Sequence, residues 1–347
     1  MTPPGAALAP GCAVNITTYT DASVFDALAG EWNALLSRSA TRTLFLTLEW
    51  QRTWWSGLGE GDLRVLAMRD DAGALVGIAP LFFGAENLAG SEVSLVGCRE
   101  VSDYLDVIFD RAHEADCYRA LVEALAGSGV PPWHEIGLCN IPETSPTAPI
   151  LSELAQARGW RAELKFEDVC PIIQLPDSFD AYLAALDGKE RRELVRKLRR
   201  AGEEAQVVFA VDGASLDRDV DDFIRLMAAS AHDKADFMTP RMERFFRLMA
   251  RAMFDAGWLE LSFLEIEGVR AASYLNFVYG DAVLVYNSGL DPMKFAHLSP
   301  GQVLLGRLIE KAIRDGRRTF DFLQGDEVYK HNLGGRDVKL YTLRLSR

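Results

Sequence analysis

Cysteine and histidine are scarce in this 347-residue chain, five of each, and neither is grouped. Cys12, Cys98, Cys117, Cys139 and Cys170 contain no CxxC pair, and with scattered histidines they indicate neither a disulfide framework nor a metal site. Long apolar runs are also missing. After the Pro- and Gly-containing start, the longest uncharged stretch, Ala72 to Ala85, holds Gly73, Gly77 and Pro80 and falls short of the roughly 18–20 apolar residues that span a bilayer. Positive charge is in deficit: a formal net charge of −13 excludes a general nucleic-acid binder, because phosphate backbones reward the opposite sign. The start, MTPPGAALAPGCAVN, lacks a basic opening and a continuous apolar core, so it does not read as a signal peptide. Residues 1–13 are expected to be disordered and the protein to be cytoplasmic.

What is present is a soluble globular composition, 49% hydrophobic and 25% charged, long enough for two domains. Two segments repeat one pattern. Residues 63–84 and 259–280 each read as a β-hairpin whose tight turn carries a glycine, Gly73 or Gly268. A third strand follows each hairpin, at 92–98 and 282–289, then a helix, 113–129 or 300–316, then another strand, 133–141 or 318–325. Helices precede each hairpin, the longest of them predicted over 178–204. The repetition predicts a mixed α/β (α+β) fold in two tandem domains, 14–165 and 166–347, with a strand near 162–176 bridging them.

Three places hold candidate chemistry. In FDFLQGDEVYKHNLGG (320–335), Asp321 interrupts a core strand, and Asp326, Glu327, Tyr329, Lys330 and His331 follow it. A carboxylate between Phe320 and Phe322 is costly to bury unless partnered or used. In YNSGLDPMKFAHLSPGQVLLG (286–306), a strand ends at Asn287-Ser288-Gly289 and a helix opens at Ser299-Pro300-Gly301-Gln302. Serine is a good N-cap and proline a good first helical residue, and the free N–H groups there suit a phosphate or serve a well-capped helix. In KERRELVRKLRR (189–200), seven basic residues stand against two acidic ones, either a solvated helix face or a contact for phosphates or tRNA, with Arg196 and Arg200 as the contacts. In the first half, SDYLD places Asp103 and Tyr104 as acceptor-side residues or as turn chemistry. Trp50, Trp54 and Trp55 read as core.

The segment Glu267-Gly268-Val269-Arg270 together with 286–335 resembles the C-terminal domain of the CelD/BcsL family, GNAT acyltransferases of exopolysaccharide and cellulose synthesis. LEWQRTWW, GALVGIAPLFF and SDYLDVIF are similar to that family's N-terminal portion, so the resemblance runs from about Val14 to Arg347. Two tandem GNAT-like domains also resemble the Fem transferases, which carry an aromatic–lysine pair like Tyr329-Lys330. The full glycine-rich pyrophosphate loop of typical members (Arg/Gln-x-x-Gly-x-Gly/Ala) is lacking. The resemblance implies N- or O-acyl transfer from acetyl-CoA or another acyl-CoA, bound between splayed strands 282–289 and 318–325. Asn287, Ser288, Gly289, Ser299, Gly301 and Gln302 would hold it, the C-terminal domain being the acyl-CoA side and the N-terminal domain the acceptor side. The catalytic set would be Asp321 for the acceptor's proton, Tyr329 for the leaving thiolate, and Lys330 for the acceptor or oxyanion. The acceptor would be a sugar or amino-sugar intermediate of envelope polysaccharide, received in the cleft between the domains. The alternatives are a Fem-type transferase using aminoacyl-tRNA and a non-catalytic accessory of the same fold.

Overall fold

A computed structural model describes residues 14–84, 92–98, 101–202, 205–210 and 212–347; the expected disordered leader lies outside them. The chain forms two compact units. Met1–Trp55, Gly59–Glu167 and Leu340–Arg347 make the first, Ser56–Leu58 and Asp168–Lys339 the second. Both are mixed α/β, as the repeated pattern predicts.

The first unit contains β1 (Asn15–Tyr19), α1 (Val24–Ala27), α2 (Trp32–Leu36), α3 (Leu48–Leu58), β2 (Asp62–Arg69), β3 (Leu75–Gly84), β4 (Glu92–Leu95), β5 (Ile108–Phe109), α4 (Glu114–Ala126), β6 (Glu135–Pro142) and α5 (Thr147–Ala157). The hairpin β2–β3 pairs antiparallel, β4 adds to β3, and β6 pairs parallel with β4 after the α4 crossover. Trp50 and Trp54 are buried, as read from the sequence, and the indole N–H of Trp50 donates to Ser102 Oγ at 2.9 Å.

One expectation fails here: Cys98 and Cys139 are joined by a disulfide, with their Cα atoms 6.0 Å apart. The parallel pairing of β4 with β6 brings together two residues separated by 41 positions, which spacing alone hides. Cys117 and Cys170 are buried and take no part in this disulfide.

The second unit follows the same order. It contains β7 (Arg161–Gln174, from Asp168 on), α6 (Phe179–Ala185), α7 (Gly188–Ala201), β8 (Ala205–Phe209), α8 (Leu216–Ser230), α9 (His232–Phe237), α10 (Pro240–Asp255), β9 (Leu259–Ile266), β10 (Val269–Tyr279), β11 (Ala282–Leu290), α11 (Pro300–Arg314), β12 (Thr319–Asp321) and α12 (Val328–Asn332). Its strands lie in the order β7-β12-β11-β10-β9-β8. The predicted helix over 178–204 is two helices, because Leu186 and Asp187 take extended backbone between α6 and α7. Leu304, Leu305, Leu308 and Ile309 of α11 are fully buried against the sheet, each contributing roughly 1.5–3 kcal/mol of burial. Gly316 closes α11 in the left-handed region, φ +70°, and Arg317 N–H returns to the Ala312 carbonyl at 2.9 Å.

The last strand, β13 (Arg336–Ser346), pairs with β6 from Leu340 onward. Its residues therefore count with the first unit, although chain order assigns them to the second.

Candidate active site

The parallel pair β11–β12 is short. Its register runs only from Ala282/Thr319 to Leu284/Asp321, after which β11 continues to Leu290 alone on that side. Two local devices open this gap. On β11, a bulge against β10 inserts Tyr286 between the pairs Leu275/Asn287 and Asn276/Val285. Its ring settles against Phe246 and Phe277, at centroid distances of 5.9 and 5.0 Å. On β12, Asp321 accepts the Leu323 N–H at 2.8 Å, and Leu323 turns into the left-handed region at φ +56°. The strand predicted over 318–325 therefore stops at Asp321.

Phe320 and Phe322 join the apolar cluster under α11, and strand alternation sets the buried Asp321 between them on the opposite face. Of the five non-glycine residues with positive φ among the described residues, Phe295, Ser299 and Leu323 sit in the loops that follow the two splayed strands. Strained backbone concentrates where a site is built.

A polar group gathers at the end of β11. Ser288 stands opposite Tyr274 of β10. The Lys234 ammonium, from α9, donates to the Ser288 carbonyl at 2.7 Å and lies 3.5 Å from its Oγ. Burial pulls the Lys234 pKa down, with the charges of Asp233 and Glu327 opposing. Burial pushes the Tyr329 phenol up, and the Glu327 carboxylate adds to this. Tyr274 is raised in the same way, by burial first and then by Tyr329. Both phenols are held as proton donors. Two residues further along β10, the Asn276 side chain is completely buried, and neither its oxygen nor its nitrogen has a hydrogen-bond partner among the described residues. Buried amides of this kind are satisfied by water or a ligand.

Lys330 does not stand where the sequence reading placed it. Its ammonium donates to the carbonyls of Leu323, Gln324 and Gly325 at 3.2, 2.8 and 3.1 Å and pairs with Glu327 at 2.9 Å. Three N–H donors facing four oxygens leave nothing for an oxyanion. The residue fastens the loop between β12 and α12, and by that route sets the position of its neighbour Tyr329.

The start of α11 differs in detail from the expectation. Ser299 occupies the N-cap position with left-handed backbone, φ +54° and ψ +56°, and its side chain caps nothing. Its carbonyl instead accepts the N–H groups of Gln302 and Val303, both at 3.1 Å. The Gln302 side chain accepts from Lys197 of α7, so the basic helix borders the first turn of α11. A Cβ on Gly301 would come within 3.2 Å of Leu290 Cδ2. Gly289 has a packing reason: a Cβ there would fall 2.3 Å from the Met227 nitrogen of α8. Asn287 is half-buried at the bulge. Arg196 is held by Glu193 at 2.7 and 3.0 Å, and Arg200 is exposed.

Asp103 and Tyr104 belong to the first unit. Tyr104 is buried with its ring 6.3 Å from that of Phe45, as a packing residue, and Asp103 is half-buried. The same motif contains a residue to which the sequence alone assigns no role, Asp106. It is wholly buried, accepts from the hydroxyls of Thr41, Ser145 and Thr147 and from Val107 N–H, and burial raises its pKa. Lys234 and Tyr274 were missed as well. Tyr274 sits in a hairpin strand and Lys234 in a short polar helix, and only the fold brings both to Ser288. Among the described residues no group of histidine, cysteine and carboxylate side chains has a metal-binding arrangement, and no helix is long and apolar enough to cross a membrane.

Residues 188–331, all within the second unit, match the acetyltransferase (GNAT) domain. No curated protein matches the chain. Among solved structures it is similar to FemX, at 13% identity over 90% of this chain and 95% of that one, with a TM-score of 0.66. A conserved protein of unknown function from Bacteroides thetaiotaomicron VPI-5482 shares 11% identity over 92% of this chain and 97% of its own, TM-score 0.58. L-PGS from Bacillus licheniformis shares 10% over 92% and 91%, TM-score 0.54. At such identities the likeness is one of fold, and the fold is GNAT-like.

Proposed function

We propose that the chain transfers an acyl group from acyl-CoA to an amine or hydroxyl of an acceptor at the splayed strands of the second unit. The observation that carries this is the gap itself: β11 runs on from Val285 to Leu290 without β12, inside the stretch that matches the GNAT domain. Acyl-CoA would supply the thioester when bound. The fit is supported by the edge of β11 beyond Leu284 that β12 leaves unpaired, the glycine at the first turn of α11, and the buried orphan amide of Asn276. Tyr329, kept protonated, suits proton donation to a departing thiolate. Asp321 holds the turn that ends β12, and Lys234 fixes the end of β11. The acceptor class, a sugar or amino sugar of envelope polysaccharide, rests on the CelD/BcsL resemblance. Fem-type transfer from aminoacyl-tRNA is the second reading; the arginines of α7 favour it and the net charge of −13 opposes it.

Calorimetry with acetyl-CoA and with charged tRNA separates the two. Acetyl-CoA should bind, and Gly301→Glu should abolish binding by placing bulk and negative charge at the start of α11. Wild-type protein that takes up no CoA compound at millimolar concentration sinks the proposal.

A further inference from the structure

Helix α7 departs most from the acidic character of the chain. Its inner face, Leu194, Leu198 and Ala201, is buried, with the two leucines packed closely over Gly306 of α11. Spacing by four residues puts Arg191, Val195 and Arg199 in one outer row and Arg192, Arg196 and Arg200 in the next, all exposed. Arg196 is tied to Glu193, whereas Arg191, Arg192, Arg199 and Arg200 have no ion-pair partner among the described residues. Val195 is 41% exposed in the middle of this face. The loop after β11 packs its turn at Ala296–Leu298 against α7 and carries Met293, 86% exposed.

We infer that this face docks the protein onto an anionic lipid surface. The guanidinium groups of Arg191, Arg192, Arg199 and Arg200 attract phosphate headgroups, while Val195 among them and Met293 on the adjoining loop offer apolar contact that a headgroup–acyl boundary rewards and a nucleic-acid backbone does not. The net charge of −13 repels the remaining surface from the same bilayer, so one face would set the orientation. A docked α7, bordering the first turn of α11, would bring the second unit's site near a lipid-borne acceptor. The docking itself does not depend on the acyltransferase reading.

Flotation of the full chain with vesicles tests this. Vesicles of equal parts phosphatidylcholine and phosphatidylglycerol should carry the protein, vesicles of phosphatidylcholine alone should not, and added salt should release it. The release by salt needs no variant. Reversing Arg191, Arg192, Arg199 and Arg200 to Glu should cut partitioning by at least about 100-fold, since each basic residue is worth about fivefold. Val195→Ser should weaken vesicle binding severalfold without changing any retention of bulk tRNA. Equal partitioning on both vesicle types overturns the inference. So does vesicle binding that survives the quadruple reversal, or arginine-dependent tRNA binding with no vesicle binding.

Discussion

The Lys234 ammonium donates to the carbonyl oxygen of Ser288 at 2.7 Å and so ties α9 to the end of β11. Apart from Lys234 and Phe237, the residues of α9 are exposed, which makes this bond a main attachment of the helix to the sheet. Lys234→Met keeps the stem and removes the donor. Loss of one hydrogen bond is offset by release of a buried charge, so stability should move by less than about 1 kcal/mol. Acyl transfer should fall by ~10-fold or more, as the strand end loses its fixed position. The folded-state pKa of Lys234 is lowered, so the unfolded chain binds more protons between the folded and the ordinary lysine values. Wild-type stability should therefore rise relative to the variant as pH climbs toward the ordinary lysine value. Urea unfolding of both proteins across that range measures it, and parallel curves would remove the buried ammonium from the account.

Lys330 and Asp321 predict contrasting pairs of variants. Lys330→Met leaves three inward carbonyls and Glu327 without their cation, and should cost about 3 kcal/mol, read as a lower melting temperature. Lys330→Arg should rescue little, because a planar guanidinium cannot converge on the same oxygens. Asp321→Asn keeps an acceptor for the Leu323 N–H and should stay within about 1 kcal/mol, while Asp321→Ala should lose about 1–3 kcal/mol. The two Asp321 variants also separate turn-holding from base catalysis. If Asp321 only holds the turn, the Asn variant turns over normally; a loss of ~10²-fold or more in a stable Asn variant would make the carboxylate a base.

Gly289→Ala tests how tightly α8 defines the site. The new Cβ would lie 2.3 Å from the Met227 nitrogen and 2.5 Å from the Leu226 carbonyl carbon, both backbone atoms that cannot swing aside. Overpacking of this kind costs about 1–3 kcal/mol. Circular-dichroism melting should show a clear drop, and an unchanged melting temperature would mean that α8 does not lie against β11 in solution.

The duplicated hairpin–strand–helix–strand order was legible because it is written in local signals: glycine turns, strand lengths and the helical period of α11. The gap between β11 and β12 was legible in position but not in cause. Tyr286 as a bulge residue and Leu323 in left-handed backbone follow from pairing across the sheet, which no local pattern encodes. Lys330 shows the opposite error. Its place after a strand, beside Tyr329, suggested chemistry, and only the curl of residues 323–325 around its side chain shows where its donors go. Asp106 has no role legible in SDYLD, because its hydroxyl partners come from Thr41, Ser145 and Thr147, far away in sequence. Strand β13 went unread since its first four residues are largely exposed and only the later ones are buried.

The disulfide gives the last prediction. The chain has five cysteines; with Cys98 and Cys139 joined, three thiols remain. Cys117 and Cys170 are buried, and burial raises the Cys117 thiol to about 12, which makes it inert in the folded protein. Protein purified without reductant should therefore yield three thiols to a chromogenic disulfide reagent in denaturant, and all five after reduction. Under native conditions neither Cys117 nor Cys170 should react at an appreciable rate. Disulfides persist in oxidising compartments and are rare in cytosolic proteins, so the count in protein trapped with an alkylating agent at cell lysis also bears on location. Five alkylated thiols would mean that the pair is reduced in the cell and closes only afterwards, consistent with a cytoplasmic acyltransferase. Three would mean that the bond between β4 and β6 is part of the working protein, and the expectation of a cytoplasmic location would then fail.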